Sequence, residues 1–179
     1  LSEDGAIEIG RGGFSVEPTV QIDGSRPVTW ADVTPTQSLR DGYLPLPAVH
    51  WRHDAFTLDI EVAADGARDA PQALARYTLV NRSNRPRRFT LLLGVRPWQV
   101  NPPQQFLTTP GGARPVRELA WADGVLAVNG RRVLRTSEPP HSVRAAPFDA
   151  GMSLDALRNA PVLTALQDPR SHASALLQF

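Results

Sequence analysis

Residues 56–62 read FTLDIEV, and their period decides the fold. Phe56, Leu58, Ile60 and Val62 alternate with Thr57, Asp59 and Glu61. Successive residues of a strand point to opposite faces, so this is a strand with one buried and one wet face. The same period continues outward. Ala75, Tyr77 and Leu79 alternate with Arg76 and Thr78. Phe89, Leu91, Leu93 and Val95 form a further set, with Leu92 making the middle of that strand apolar on both faces. Asn81 to Pro86 between them reads as a polar turn, which predicts an antiparallel hairpin. Gly94 predicts a bulge or a close backbone approach.

A second hairpin carries a stronger signal. Val125 to Val128 is followed by Asn129-Gly130 and then by Arg131 to Leu134. A type I′ turn needs positive φ at both central residues, and Asn-Gly supplies them. Val116 to Trp121 is a strand ahead of it, closed by Ala122-Asp123-Gly124. Pro27 to Val33 and Ala48 to His53 are expected as strands around a loop from Pro35 to Pro47. His141 to Ala146 and Ser174 to Phe179 add two more. Helix is scarce: Met152 to Asn159 allows one or two turns, with Ser153 as N-cap and Asp155 near the positive end of the dipole. Pro147 precedes this segment and Pro161 stops it.

The expected class is therefore all-β, an antiparallel β-sandwich with at most one short helix near the C-terminus. A closed barrel is the architectural alternative. Residues 1–13 are polar and Gly-rich and begin at Leu1, so they read as a linker or the start of a fragment. Residues 14–179 form a single expected sandwich domain, with 147–170 mostly loop and short helix.

Composition excludes several chemistries. There is no cysteine, hence no disulfide framework, zinc ribbon or Cys nucleophile. All 19 basic residues are arginine, so neither a lysine Schiff base nor a P-loop is possible. The bias reads as the codon usage of a GC-rich genome. A net charge of +1 gives no basic surface for nucleic acid, and no apolar run approaches the ~20 residues of a membrane span. Pro110-Gly111-Gly112 lacks the Lys-Ser/Thr and helix of a phosphate loop, there is no Gly-x-Ser-x-Gly elbow, and no cofactor is implied.

Leu91 to Trp121 reads LLLGVRPWQVNPPQQFLTTPGGARPVRELAW. Its core, Arg96-Pro97-Trp98-Gln99-Val100-Asn101-Pro102-Pro103, follows a strand. Upstream stands Asp41-Gly-Tyr-Leu-Pro-Leu-Pro47 with Val49 and Trp51; downstream stands Phe148-Asp149-Ala150-Gly151. In these ordered motifs the span from Trp30 to Gly151 resembles the bacterial coagulation factor 5/8 type domain proteins, which carry a six-hairpin glycosidase-like region. The resemblance implies an N-terminal β-supersandwich, similar to the galactose mutarotase fold, preceding an (α/α)6 barrel that holds the catalytic carboxylates. This sequence contains neither the helical barrel nor a discoidin-like segment. It would then be a non-catalytic sandwich module of a larger carbohydrate-active protein, with the catalytic domain of the same parent chain as its partner. An autonomous carbohydrate-binding module and a small mutarotase-like or hydrolytic enzyme are the alternatives.

Candidate site residues follow. Arg96, Trp98, Gln99, Asn101, Gln104 and Gln105 offer a guanidinium for a carboxylate, an aromatic face for a pyranose and amides for sugar hydroxyls. The same stretch also reads as an interdomain contact, or as a proline-stiffened crossover with Trp98 in the core and the amides satisfying loop backbone. On a strand, His50 and Arg52 share one face while Trp51 and His53 share the other, so the two histidines point apart and do not suit a metal. A histidine acting as general base needs a carboxylate such as Asp59, Glu61 or Glu118. Arg82, Arg85, Arg87 and Arg88 form a basic turn, either solvated or facing an acidic partner. Trp30, Trp51, Trp98 and Trp121 are either a sugar platform or core.

Overall fold

The computed structural model describes residues 1–9, 13–67, 69–100 and 112–179, and the side chains of all of these except Ile9 and Arg132. Its strands are β1 (Ile7–Ile9), β2 (Phe14–Ile22), β3 (Thr34–Arg40), β4 (Leu44–His53), β5 (Phe56–Asp65), β6 (Gln72–Asn81), β7 (Phe89–Arg96), β8 (Glu118–Ala122), β9 (Val125–Val128), β10 (Arg131–Arg135), β11 (Ser142–Ala146), β12 (Ala165–Gln167) and β13 (Ser174–Gln178). The helix α1 spans Leu154–Asn159, and single 3-10 turns lie at Trp30–Asp32 and Phe148–Ala150. The fold is all-β and antiparallel, as the alternation predicts, with its one short helix near the C-terminus. None of its described helices is long and apolar enough to cross a membrane. The chain falls into two compact units: Leu1–Ile7 with Thr19–Phe89, and Glu8–Pro18 with Thr90–Phe179.

The first unit is built on a four-stranded sheet in the order β3-β4-β5-β6. Trp51 pairs with Leu58, Val49 with Ile60 and His53 with Phe56 across β4 and β5. Val49, Trp51, Phe56, Leu58 and Ile60 are essentially inaccessible, and they form the buried face read from FTLDIEV. Burying each of these side chains stabilises by roughly 1.5–3 kcal/mol. The opposite face carries Thr36, His50, Asp59 and Thr78 in one cross-strand row, and Ser38, Ala48, Glu61 and Arg76 in the next.

Three expectations change here. The segment from Pro35 to Pro47 is not a loop; it holds β3 and the start of β4, joined at Asp41-Gly42 with φ of 54° and 79°. Prolines are tolerated because β3 is an edge strand and β4 pairs with β5 only from Ala48 onward, past Pro45 and Pro47. Pro27 to Val33 contains a 3-10 turn instead of a strand. The predicted hairpin across Asn81 to Pro86 does not form either. β6 pairs with β5, and β7 belongs to another sheet. Asn81 turns the chain away, its Oδ1 accepting from Ser83 N (2.9 Å) and its Nδ2 donating to Arg85 O (2.9 Å).

Residues 1–7 are packed into the first unit rather than lying free as a linker. Ile7 is buried, and Trp51 Nε1 donates to the Asp4 carbonyl at 2.9 Å.

A five-stranded sheet runs in the order β1-β2-β7-β13-β11, and a four-stranded one in the order β10-β9-β8-β12. Leu92 and Leu93 point to opposite faces of β7 and both are buried, Leu92 in the cluster that α1 covers, so both faces of this strand are apolar. The helix α1 lays Leu157 against Leu92, Ala146, Ala160 and Leu176. Ser153 caps it as read from the sequence, accepting from Ala156 N at 3.1 Å. Register runs unbroken through Gly94, which pairs with Leu176, so Gly94 is not a bulge. Asn129 and Gly130 have φ of 51° and 73° and join β9 to β10 in the predicted I′ turn.

Candidate functional site

The Arg96 to Gln105 stretch divides at the end of β7. Arg96 is nearly buried and committed to structure: its Nη1 donates to the Met152 carbonyl at 2.6 Å, and its Nε lies 3.7 Å from Glu17 Oε2. Burial pulls its guanidinium below the ordinary arginine range, against the opposing pull of the Glu17 charge. Arg96 is therefore an anchor, not a ready carboxylate clamp. Trp98 is 36% exposed and bridges Ala113 across an antiparallel contact. Gln99 N donates to Gly112 O at 2.6 Å and Arg114 N to Pro97 O at 2.7 Å. These bonds draw residues 97–99 and 112–114 together as the two feet of one stem, with the Trp98 indole accessible beside it. Asn101, Gln104 and Gln105 lie outside the described residues.

The other aromatics separate. Trp51 is fully buried and cannot stack on a sugar, whereas Trp30, which falls where a strand is expected, is 56% exposed on its 3-10 turn. In the basic turn Arg87 has an acidic partner: its Nη1 lies 2.9 Å from Asp23 Oδ2, and Arg88 N donates to Asp23 Oδ1 at 2.9 Å. The backbone bond from Arg88 and the side-chain bond from Arg87 hold the Asp23 carboxyl below its usual range.

The wet face of the β3-β4-β5-β6 sheet holds the most organised polar cluster. Direct pairing of His50 with Asp59 sets their side chains side by side on that face, and Nδ1 of the imidazole lies 2.8 Å from Oδ1 of the carboxylate. Ser38 pairs with Ala48, diagonal to His50, which brings Ser38 Oγ to 2.8 Å from His50 Nε2. Arg52 Nη1 donates to Asp59 Oδ1 at 3.0 Å. Partial burial raises the Asp59 carboxyl, but the bonds from His50 and Arg52 outweigh it and leave a net lowering. An ionised carboxylate only accepts, so neutral His50 carries its proton on Nδ1 and turns the Nε2 lone pair to the Ser38 hydroxyl.

Of the carboxylates considered for a histidine base, Asp59 is the one in contact. Glu61 is gripped by Arg76 and by Arg40 (3.1 Å), which hold its carboxyl low. Glu118 stands on β8 in the other unit. His53 faces the other way, as expected; its Nδ1 accepts from Ala55 N at 3.1 Å and its ring stacks on Phe56 at 4.9 Å. Among the described residues no group of three or more His, Asp or Glu is placed to hold a metal ion. Ser38 is the member that sequence reasoning misses, because it falls inside the segment expected as a loop. The Asp41-Gly42 turn signals the hairpin, but the register shift between Leu39 and Arg40 that sets Ser38 beside His50 has no signal in the sequence.

Two openings lie in the first unit. One, of about 510 Å³, touches the cluster at Arg52 and Asp59, is otherwise lined by His53, Asp54, Thr57 and Arg82, and is polar. The other, of about 370 Å³, is mainly apolar; its Gln37, Leu39, Pro47 and Val49 stand on the face away from His50, with Leu1 on its wall.

No family model, curated protein or solved structure matches this chain.

Proposed function

We propose that the chain serves as a β-sandwich-like module of a larger bacterial carbohydrate-active protein, leaving glycosidic cleavage to a neighbouring domain of the same parent chain. The observation that carries this reading is the stem at the end of β7. Arg96 is spent on anchoring it, the Gln99–Gly112 bond closes it, and the Trp98 face remains accessible there. An aromatic face on a fixed stem, with the amide- and proline-rich sequence 99–105 following, suits contact with a sugar or with a domain that holds one. The resemblance of Arg96 to Pro103 to the six-hairpin glycosidase-like proteins supplies the carbohydrate context.

The test is the size and activity of the native polypeptide. An immunoblot of source cells with an antibody against this domain is expected to show a band far above 19.5 kDa. That polypeptide is expected to cleave glycosides, and Trp98→Ala is expected to weaken substrate binding with the fold intact. A native band near 19.5 kDa overturns the reading.

A further inference from the structure

We propose that Ser38, His50 and Asp59 form an acyl-transfer relay that hydrolyses carboxylic esters on the wet face of the β3-β4-β5-β6 sheet. The proposal concerns the first unit alone and holds whether or not the module reading does.

The geometry supplies the parts in order. Ser38 Oγ and His50 Nε2 are 2.8 Å apart, within reach for proton transfer. His50 Nδ1 and Asp59 Oδ1 are also 2.8 Å apart, which fixes the tautomer and the plane of the ring. Asp59 is in turn held by Arg52, whose remaining guanidinium N–H groups stay on the same sheet face. Three adjacent strands carry the three groups, so the backbone register holds them without any loop needing to close. Ser38 is exposed on that face, so its hydroxyl is open to an ester arriving from solvent.

The reaction balances with water as co-reactant. Ser38 Oγ attacks the ester carbonyl carbon while its proton passes to His50 Nε2. The bond from that carbon to the alkoxy oxygen breaks, and the alcohol leaves with the proton. Water then attacks the acyl-serine and gives a proton to His50. The acyl–Oγ bond breaks, the carboxylic acid is released, and the proton returns to Ser38. Ser38 is the nucleophile, His50 the general base and acid, and Asp59 a positioning residue.

The intact chain is treated with an alkyl fluorophosphonate, and adducts are located by peptide mass spectrometry. Ser38 is expected to react about 100-fold faster than Ser83, a half-buried serine of the same molecule whose hydroxyl bonds to Asn81 Oδ1 and not to a histidine, because a hydroxyl gains this much from an adjacent base. His50→Gln and Asp59→Asn, checked for folding by circular dichroism, are each expected to slow the Ser38 adduct at least about 10-fold. p-Nitrophenyl butyrate hydrolysis is expected to fall with the adduct rate and to vanish in Ser38→Ala. Equal reactivity of Ser38 and Ser83 in the unmodified chain overturns the proposal without any variant. An adduct rate unchanged in folded His50→Gln overturns it equally.

Discussion

Trp51 Nε1 donates to the carbonyl of Asp4 across 47 residues of sequence, at 2.9 Å. The indole is fully buried, so its N–H needs a partner inside the unit, and the first few residues of the chain provide it. Gln37 Nε2 makes a second such tie to the Glu3 carbonyl at 3.0 Å. A segment that composition marks as linker is therefore part of the first unit's packing.

Trp51→Phe keeps most of the apolar volume and removes the donor. The Asp4 carbonyl then loses its partner, which costs about 1–3 kcal/mol. A urea titration checks the loss. Amide exchange at Gly5 and Ala6 is expected to quicken more than exchange in β5, since only the N-terminal tie is cut.

Gly5 explains why that tie is possible. Its φ is +94°, and a Cβ there would lie 2.5 Å from Ile60 Cδ1. Gly5→Ala is expected to destabilise by about 1–3 kcal/mol, from backbone strain and overpacking together. Ile60→Val removes the clashing methyl, so Gly5→Ala is expected to cost less in that background. A double-mutant cycle measures the coupling, and strict additivity refutes the contact.

The wet face should make the first unit acid-sensitive. Glu61 is held low by its bonds to Arg76 and Arg40; Asp59 is held low by His50 and Arg52 against partial burial. A carboxyl lowered on folding stabilises above its unfolded value of about 4, and that contribution disappears as pH falls through the folded value. The denaturation midpoint is expected to drop below about pH 4, and Glu61→Gln is expected to flatten part of that drop. These pairs are largely solvated, so about 0.5 M salt should also reduce the effect.

Asn129 has two roles that substitution separates. It takes positive φ in the I′ turn, and its Oδ1 accepts from Arg117 N (2.8 Å) while its Nδ2 donates to Pro115 O (2.9 Å). Asn129→Gly keeps the turn and loses the bonds; Asn129→Ala loses both. The expected order of stability is Asn, then Gly, then Ala, with Ala about 1–2 kcal/mol below Asn. Thermal melts of the three proteins check the order.

This turn also shows what the sequence discloses and what it hides. Asn129-Gly130 sits between two alternating runs, so local pattern and local geometry agree. Asp41-Gly42 uses the same backbone but lies among Pro35, Pro45 and Pro47, and counting prolines argues for a loop. The position of β3 at a sheet edge makes Pro35 harmless, and the start of β4, unpaired with β5, does the same for Pro45 and Pro47; both are tertiary facts. Ser38 is hidden for that reason. His50 and Asp59 can each be read as candidates, but their pairing depends on the register of β4 against β5, which no spacing in the sequence encodes. The fate of Arg96 depends on Met152, 56 residues away.

Asp168 is a case where no pattern points to the residue and the structure depends on it. It is buried, and its two oxygens accept from three backbone amides: Arg170 N at 3.0 Å, His172 N at 2.8 Å and Phe148 N at 3.3 Å. These bonds fold the turn that carries Ser171 at a φ of 61° and leads into β13, and they tie it to the 3-10 turn at Phe148. Asp168→Ala leaves the three amides without that acceptor in a site with little room for water. Each such loss costs roughly 1–3 kcal/mol, and because neighbouring losses overlap the expected total is about 3 kcal/mol. Asp168→Asn keeps one acceptor oxygen and should cost about half as much. Chemical denaturation of both variants separates this from a simple loss of charge: equal destabilisation by Asn and Ala would mean that the charge, not the geometry of acceptance, holds the turn.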